Sequence, residues 1–542
     1  MKAVMRAKCG NRADLAGLRR KIEGEVLIAP ADLERYSLAE CVYRIPPLGA
    51  VLPKSREDVQ EVLEFAREAG IPVTARGAGT AVAGQSVGSG IILDFSRHLN
   101  RVLELRPGEK RARVEPGAIL ADLNRAAARH RLRFAPDPAS GDFCTLGGMI
   151  ANNAGGPRSV RYGPTRQGVD SLTVALADGQ ILETQSVARA SPTGTDLHAG
   201  IASKLARIVD RRREALDAAA PRVRRSASGY DLLGAVGEET IDLARLLVGS
   251  EGTLALTLEA RLILTPLPGA IATALAHFRD LEAMGKGVLA ALGHAPSAVE
   301  ALDRSFVDLI RRAGRDEVRS LPADTEAILI VEVEAETRSE AAAKLDRLDR
   351  DLAGLADGFL RGLDESSRLR IWEIRKAASP LLLARGGATR STRFIEDACV
   401  PPSKLPLFLR EIRSFLKSRR LDAAVFGHAG DAIVHVNPFL DPADARLAER
   451  MEEISREYTE LVLSLGGALS GEHGDGRLRT PFLALAFGEA CGAFREVKEL
   501  FDPRGVLNPG IKVHDGSARM SDHVDLGPRP PRFAALSAGG PP

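Results

Sequence analysis

Hydrophobic spacing divides the chain into two regions with different patterns. Up to about residue 265, short apolar runs alternate with amphipathic stretches and glycine-rich turns. Residues 50–52 read as a strand. Ser55 then caps a helix with Asp58 in its first turn, and Val59, Val62, Leu63 and Ala66 form its apolar stripe. Gly70 ends it, and strands follow at 71–75 and 90–94. A hairpin-like edge begins at 112–115, a helix runs over 119–130, and 171–184 is a hairpin around Asp178-Gly179. Residues 246–265 predict a glycine turn and then a long strand with alternating faces, which Pro266 and Pro268 end. Beyond Gly269 the order changes to strand 271–278, helix 281–292, strands 297–302 and 327–334, and helix 339–356. That order predicts an antiparallel sheet backed by helices on one face, in a chain of α+β class.

Between the regular elements of the first half lies a stretch that neither period explains. Residues 137–163, DPASGDFCTLGGMIANNAGGPRSVRYG, hold six glycines and paired asparagines, with few large side chains. Such a segment builds no core of its own. It reads as backbone laid against a large flat ligand rich in acceptors, since buried N–H groups need partners and glycine permits close approach. Upstream, Arg76-Gly77-Ala78-Gly79-Thr80 follows a strand directly, and its successive N–H groups form a nest for phosphate oxygens.

Length and composition narrow the class. A chain of 542 residues exceeds one core. Net charge is +2, so nothing in the balance calls for nucleic acid. Five cysteines are scattered without C-x-x-C spacing, which excludes an iron–sulfur or structural zinc pattern and suits a reducing compartment. No apolar run reaches the roughly 18 residues of a membrane span, and the basic N-terminus lacks the apolar core of a secretory signal. The expectation is a cytoplasmic protein that meets membranes only through a partner.

Two polar clusters occupy the second region. In 426–438, FGHAGDAIVHVNP, His428 and His435 are seven apart, which on one strand sends them to opposite faces. A hairpin looping through 429–432 pairs His428 with Ile433 and puts both imidazoles on one face, within reach of one ion. The second cluster is Ser470-Gly471-Glu472-His473-Gly474-Asp475-Gly476, after a helix at 443–465. Two histidines and a carboxylate make a divalent-metal site (zinc, iron or manganese), with His473 free as general base. Each cluster also has a plain structural role open to it, a satisfied strand histidine or a helix-terminating turn. Trp372, Arg375 and Ser379 share a helix face, where Arg375 could fork onto a carboxylate or simply be solvated.

Taken in order, RGAGT at 76–80, TLGGMIANNAGG at 145–156, GSEGTLAL at 249–256, GHAGD at 427–431, SGEHGDG at 470–476 and LNPG at 507–510 resemble the FAD-linked oxidoreductases of the vanillyl-alcohol oxidase type. The branch is that of the D-2-hydroxyacid dehydrogenases, with D-lactate and D-2-hydroxyglutarate dehydrogenases and the glycolate oxidase flavin subunit. The resemblance covers residues 50–513. It implies a two-subdomain PCMH-type FAD-binding domain over 50–268 after a helical lead-in at 1–49. A cap domain follows at 269–480, then a return to the FAD domain at 481–514 and a disordered tail at 515–542. It implies that Arg76, Gly77, Ala78, Gly79 and Thr80 cradle the pyrophosphate. Pro136, Asp137, Thr145, Gly148, Asn152, Asn153 and Gly155 would line the flavin, with Glu251, Gly252, Thr253 and Asn508 completing the pocket. FAD is expected to be non-covalent. His428, His435 and Glu472 match the family's metal ligands, His473 its base, Arg375 its carboxylate-binding arginine. Ser379 and Asn437 match positions beside the substrate.

The implied reaction is oxidation of a D-2-hydroxy acid, assisted by a metal that lowers the hydroxyl pKa. The electrons would pass to a separate acceptor: an iron–sulfur protein, an electron-transfer flavoprotein, a quinone or oxygen. A homodimer is compatible with the same pattern. Three departures stand against the family's motifs. Ala432 and Ile433 replace Gly-Asn, and alanine tolerates positive φ poorly. Ile395 and Glu396 occupy the segment where dicarboxylate-binding relatives carry lysine, with Arg390 or Arg393 as substitutes. Larger relatives carry fused iron–sulfur cysteines that have no counterpart here. A flavin-binding, non-catalytic subunit of a larger oxidase, or the same fold with another reaction, are the competing readings.

Overall fold

The protein is described here by a computed structural model, covering residues 12–190, 196–312, 314, 321–384 and 389–527. The first domain contains two main sheets. In the smaller, the strands run Glu25–Leu27, Gly49–Leu52, Ile91–Asp94, Val73–Arg76, with the last three parallel. The helix Arg56–Ala69 supplies Val59, Val62, Leu63 and Ala66 to its core. Ser55 accepts from Asp58 N at its start and Gly70 ends it in the left-handed conformation. Both ends follow from the residue types. In the larger sheet the order is Val102–Arg106, Arg111–Val114, Leu256–Ile263, Val169–Ala175, Ile181–Glu183. The long strand Leu256–Ile263 alternates between buried and outward faces, as its sequence requires.

Two local expectations change. The lead-in is not wholly helical: Glu25–Leu27 pairs antiparallel with Gly49–Leu52. Three residues are too few for a period to show. Arg111–Val114 is an interior strand, because Leu256–Ile263, far along the chain, adds to its free side.

The second domain is built on an eight-stranded antiparallel sheet. Its path runs Gly358–Gly362, Ala270–Phe278, Ala327–Ala335, Ala298–Asp303, Ala423–Gly427, Ile433–Leu440, Arg390–Ser391, with Ala398–Cys399 also on Ile433–Leu440. One face presents Ala272, Ala274, Leu329, Val331 and Val333 to the helices Leu281–Leu292, Arg338–Leu352 and Leu405–Ser418. The element order predicts no helices on the opposite face. Instead Arg304–Arg312 and Glu365–Ala384 cover its apolar end, around Leu275, Ile328 and Ile330. Both strand faces are apolar there, so both need cover. Farther along that face come Thr273, Glu300, Glu332 and Glu334, all buried. Buried charge demands partners, and these come largely from the first domain.

The chain then returns to the first domain. The helix Cys491–Phe501 joins the core formed with Leu197–Ala219, and Asn508 N donates to Val73 O. From Asp515 onward the composition predicts disorder. As far as residue 527 the chain is packed instead: Met520 is buried, Tyr43 Oη donates to its carbonyl (2.9 Å), and Asp525 N donates to Val42 O. Met520, Val524 and Leu526 pack against the core, and Asp525 and Ser521 pair with Arg44 and Glu452, which holds it against a proline- and glycine-rich composition. Residues 528–542 lie outside the described residues.

Candidate active site

The glycine-rich stretch occupies the boundary between the domains. Thr145 caps the helix Leu146–Asn152 by accepting from Gly148 N, and Asn153 ends it in the left-handed conformation. The turn after Val73–Arg76 lies directly against this helix start. A Cβ on Gly77 would stand 2.0 Å from Thr145 Oγ1, so only glycine fits. Gly155 is required for a different reason: its missing side chain makes room for the Arg225 guanidinium. Gln85 spans the groove, its Nε2 donating to Asn152 Oδ1 (3.1 Å) and to His473 O (2.7 Å).

These residues fit a polar, flat cofactor. Gln85 Oε1 and Ser86 Oγ are buried without a hydrogen-bond partner, on the loop that leaves the nest. Several expected cofactor side chains are committed elsewhere. Arg76 donates to Ser86 O and Arg35 O, under Tyr36. Glu251 holds Asp475 N, Gly476 N and Lys512 Nζ. Thr253 Oγ1 bonds Tyr230 Oη, and Asn508 ties together Thr74, the Gln85 carbonyl and the Glu251 carbonyl. Their side chains hold these turns in shape, and Glu251 N, Thr253 N and Asn508 N are committed as well, to Ala151 O, Ser250 O and Val73 O. The chain between them (Ala78, Gly79, Thr80, Gly252) follows the same turns, with Gly79 and Gly252 at positive φ.

Across the groove the two polar clusters meet. The hairpin 423–440 closes with Phe426 opposite His435 and Ile433 N donating to His428 O. Ala432 takes the left-handed position itself (φ 56°, ψ 34°), after a single 3-10 turn. Ile433 packs where Gly471 leaves space, which accommodates the larger side chain. Glu472 Oε1 then lies 2.8 Å from His428 Nε2, 3.5 Å from His435 Nε2 and 3.6 Å from His473 Nε2. His435 and His473 stack at 5.0 Å, and His428 meets His435 edge-on at 5.3 Å.

Each outer imidazole is backed by a carboxylate. His428 Nδ1 donates to Glu300 Oε1 (2.7 Å), and His473 Nδ1 donates to Glu396. A carboxylate can only accept, so both rings carry a proton on Nδ1 and turn Nε2 toward Glu472. That is how metal-ligating histidines are usually held. Asp397, at positive φ, accepts from Glu472 N, His473 N and Ser470 Oγ and so shapes the loop. Asp397, His435, Glu472 and His473 each offer a ligand atom, all within 4.8 Å of one another. His435 Nδ1 lies 3.6 Å from Glu396 Oε2, beyond hydrogen-bond range, and Asn437 Nδ2 is buried without a hydrogen-bond partner. The residues therefore fit a divalent cation, with Asp397 and His473 in this group of four where the sequence pattern names His428.

The electrostatics are those of a tightly paired set. Burial opposes a charged His428, yet Glu300 and Glu472 outweigh it and raise it to about 10. Burial likewise opposes His473, and Glu396 and Asp397 raise it to about 9. Glu472 is pulled well below the ordinary carboxylate range despite burial, chiefly by His428. A cation in the same place would reverse the balance and push protons off the imidazoles.

Arg375 stands on the same face of the sheet, on the helix Glu365–Ala384. Its Nε donates to Glu300 Oε2 (2.7 Å), and its guanidinium lies 5.1 Å from the Phe426 ring centre. It is therefore buried and paired rather than solvated. Trp372, one turn earlier, donates its indole N–H to Glu332 (2.9 Å). The Ser379 side chain lies outside the described residues. Of the two arginines considered for the lysine position, Arg390 donates to Leu526 O and Gly527 O, at the surface. Sequence reasoning missed Glu300 and Glu332, and it read the arginine-rich run 222–225 as a solvated face or loop edge, whereas Arg225 is buried. Arg225 Nη1 donates to Glu472 Oε2 (3.3 Å) and to Ser159 Oγ, linking the glycine-rich floor to the cluster. The available signal was a charged residue inside an apolar strand, SAVEALD or AILIVEVEA.

Comparison with known proteins agrees with this layout. Residues 47–185 match the family described as FAD binding domain, and residues 267–511 match FAD linked oxidases, C-terminal domain. D-2-hydroxyglutarate dehydrogenase of Pantoea ananatis is 33% identical over 519 residues, covering 90% of this chain and 50% of that protein. The chain thus spans about half the length of that relative. Glycolate oxidase subunit GlcD of Escherichia coli is 32% identical, with 92% and 90% covered, and D-lactate dehydrogenase of Archaeoglobus fulgidus 30%, with 89% and 96%. Among solved structures, 4-ethylphenol oxidase from Gulosibacter chungangensis shares the fold, with a TM-score of 0.67 at 17% identity over 92% of this chain and 96% of that one. Fold and comparisons together define the two-domain fold of the FAD-linked oxidases. The chain belongs to the FAD-linked oxidases, in the group of the D-2-hydroxyacid dehydrogenases and glycolate oxidase. No helix among the described residues is long and apolar enough to cross a membrane.

Proposed function

We propose that the chain oxidises a D-2-hydroxy acid to the 2-oxo acid with the help of a divalent metal, and delivers the electrons to a separate acceptor. The observation that carries this reading is the convergence of three imidazole Nε2 atoms on Glu472 Oε1, with Glu300 and Glu396 behind two of them. Bound FAD supplies the two-electron acceptor, and a cation held by His428, His435 and Glu472 supplies Lewis acidity toward the substrate oxygens. Arg375 binds the substrate carboxylate through its terminal nitrogens, since Nε is taken by Glu300. His473 takes the hydroxyl proton at Nε2, while Glu396 and Arg479 hold the far side of the ring through a buried pair. Asn437, two residues after His435 on its strand, keeps an amide Nδ2 without a hydrogen-bond partner, and Ser379 is four residues beyond Arg375 on the helix.

The test is anaerobic bleaching of the bound flavin by a panel of D-lactate, glycolate and D-2-hydroxyglutarate, with the metal content measured alongside. Bleaching that is lost on chelation and restored by a divalent cation is the expected result. A metal-loaded chain that no member of the panel bleaches would leave the non-catalytic alternative standing, and full activity without metal would remove the cation from the reading.

A further inference from the structure

We infer that Glu300 is a positioning residue that joins substrate recognition to metal binding, so that one buried carboxylate sets both the metal ligand His428 and the carboxylate anchor Arg375. The inference rests on the function proposed above. Glu300 sits in the middle of the strand Ala298–Asp303, fully out of solvent. Its two oxygens are divided: Oε1 accepts from His428 Nδ1 at 2.7 Å and Oε2 from Arg375 Nε at 2.7 Å. These are the two cations within ion-pair distance of it among the described residues.

The division has two chemical consequences. With the Nδ1 proton held by Glu300, His428 can present only Nε2 toward Glu472, the orientation that metal binding needs. With Nε held by the same group, the end of the Arg375 guanidinium is left to meet a carboxylate by two parallel bonds. The Phe426 ring beneath Arg375 fixes its plane, and Phe426 pairs with His435 across the hairpin. Arg375 and the histidines are thus indexed to one strand rather than to separate loops. A shift of Glu300 displaces both at once.

Glu300→Gln tests this, since the amide keeps the shape but cannot accept at both positions. Turned one way it donates to His428 Nδ1 and moves the ring proton to Nε2. Turned the other way it points its N–H groups at the Arg375 Nε–H. The FAD-loaded full chain is stripped of metal by chelation and titrated with zinc and with manganese, and KM is read from flavin bleaching with the best acid of the panel. The expected result is a loss of metal affinity of about 10–100-fold together with a rise in KM of about tenfold, at an unchanged FAD-to-protein ratio. In an Arg375→Ala background the KM penalty of Glu300→Gln should largely vanish while the metal penalty remains. Unchanged metal affinity, unchanged KM, or a KM penalty of full size without Arg375 overturns the inference. Glu300→Asp, which keeps the charge but retracts it by one bond, is read in the same assays if the Gln chain loses FAD; no penalty in either assay overturns the inference equally. A wild-type chain that takes up no metal overturns the proposed function and this inference with it. A wild-type chain that takes metal and is bleached, beside an indifferent Glu300→Gln, overturns the inference alone.

Discussion

Removing the Arg158 side chain should damage the joint between the domains more than neutralising its partner does. Glu332 lies on the central strand Ala327–Ala335 with its carboxylate out of solvent. It accepts from Arg158 Nε (2.8 Å) and Nη2 (2.9 Å), from Trp372 Nε1 (2.9 Å) and from Ser297 Oγ (3.1 Å). Arg158 comes from the glycine-rich stretch of the first domain, keeps 22% exposure and holds a second partner, Asp137. Arg158→Ala strands a buried carboxylate whose remaining donors are neutral, at a cost of about 3–5 kcal/mol. Glu332→Gln leaves Arg158 with Asp137 and with water, and weakens two charge-assisted bonds, about 1.5–3 kcal/mol. For a unit of the second domain's size about 1 kcal/mol moves Tm by roughly 2–4 °C, so both changes are measurable and their order is the test. The chain has a single tryptophan, Trp372. Its indole bonds Glu332 and lies 5.1 Å from the Arg158 guanidinium, so its emission reports this contact directly. Denaturant unfolding followed by tryptophan emission, with flavin release as a second probe, gives both costs. The double variant should cost less than the sum of the two. A Glu332→Gln penalty equal to or above that of Arg158→Ala, or an unmoved tryptophan emission, would refute the reasoning.

His473→Ala should abolish flavin reduction by the panel while FAD stays bound, because the residue touches no part of the glycine-lined groove except through its carbonyl to Gln85; surviving turnover assigns the base elsewhere. Arg375→Ala should raise KM by about 10²-fold or more, the loss of a bidentate charge-assisted contact, with metal content read in parallel; an unchanged KM removes Arg375 from the pocket. In the metal-free chain His428 is raised to about 10 and His473 to about 9. A raised imidazole contributes stability that is full below its unfolded pKa of about 6.5 and is lost as pH rises through the folded value. Thermal melts of chelated protein should therefore fall between about pH 6.5 and pH 10, and added metal should reverse the trend. A flat profile contradicts the pairing.

Much of the site could be read from residue types alone. Gly77, Gly155 and Gly471 stand where a Cβ would strike Thr145, Arg225 and Ile433, and such demands leave glycine as the available residue. The hairpin was legible because strand geometry turns a spacing of seven into a same-face pair once a four-residue loop is allowed. The loop that carries Glu472 could be found by its composition, although the atoms that shape it, from Asp397 and Lys512, could not. Expectations failed where an element depends on a distant partner. Arg111–Val114 reads as an edge until Leu256–Ile263 joins it. The second face of the large sheet reads as open until Glu365–Ala384 crosses it.

The charged residues divide most clearly. Local sequence determined where the candidate groups stand, because histidines, a carboxylate and turn glycines at fixed offsets bring polar side chains together within one loop or hairpin. It determined the turn after Val73–Arg76, the glycine-rich stretch and the hairpin 423–440 for the same reason: each is specified by one short continuous segment. The tertiary structure alone decided what those groups face. Glu300, Glu332 and Arg225 look like solvated charges in sequence, and each becomes a buried tie because its counter-charge arrives from 75 to 247 residues away. Burial is a property of the assembled fold, and the free energy of a charge is set by its surroundings rather than by its neighbours in the chain.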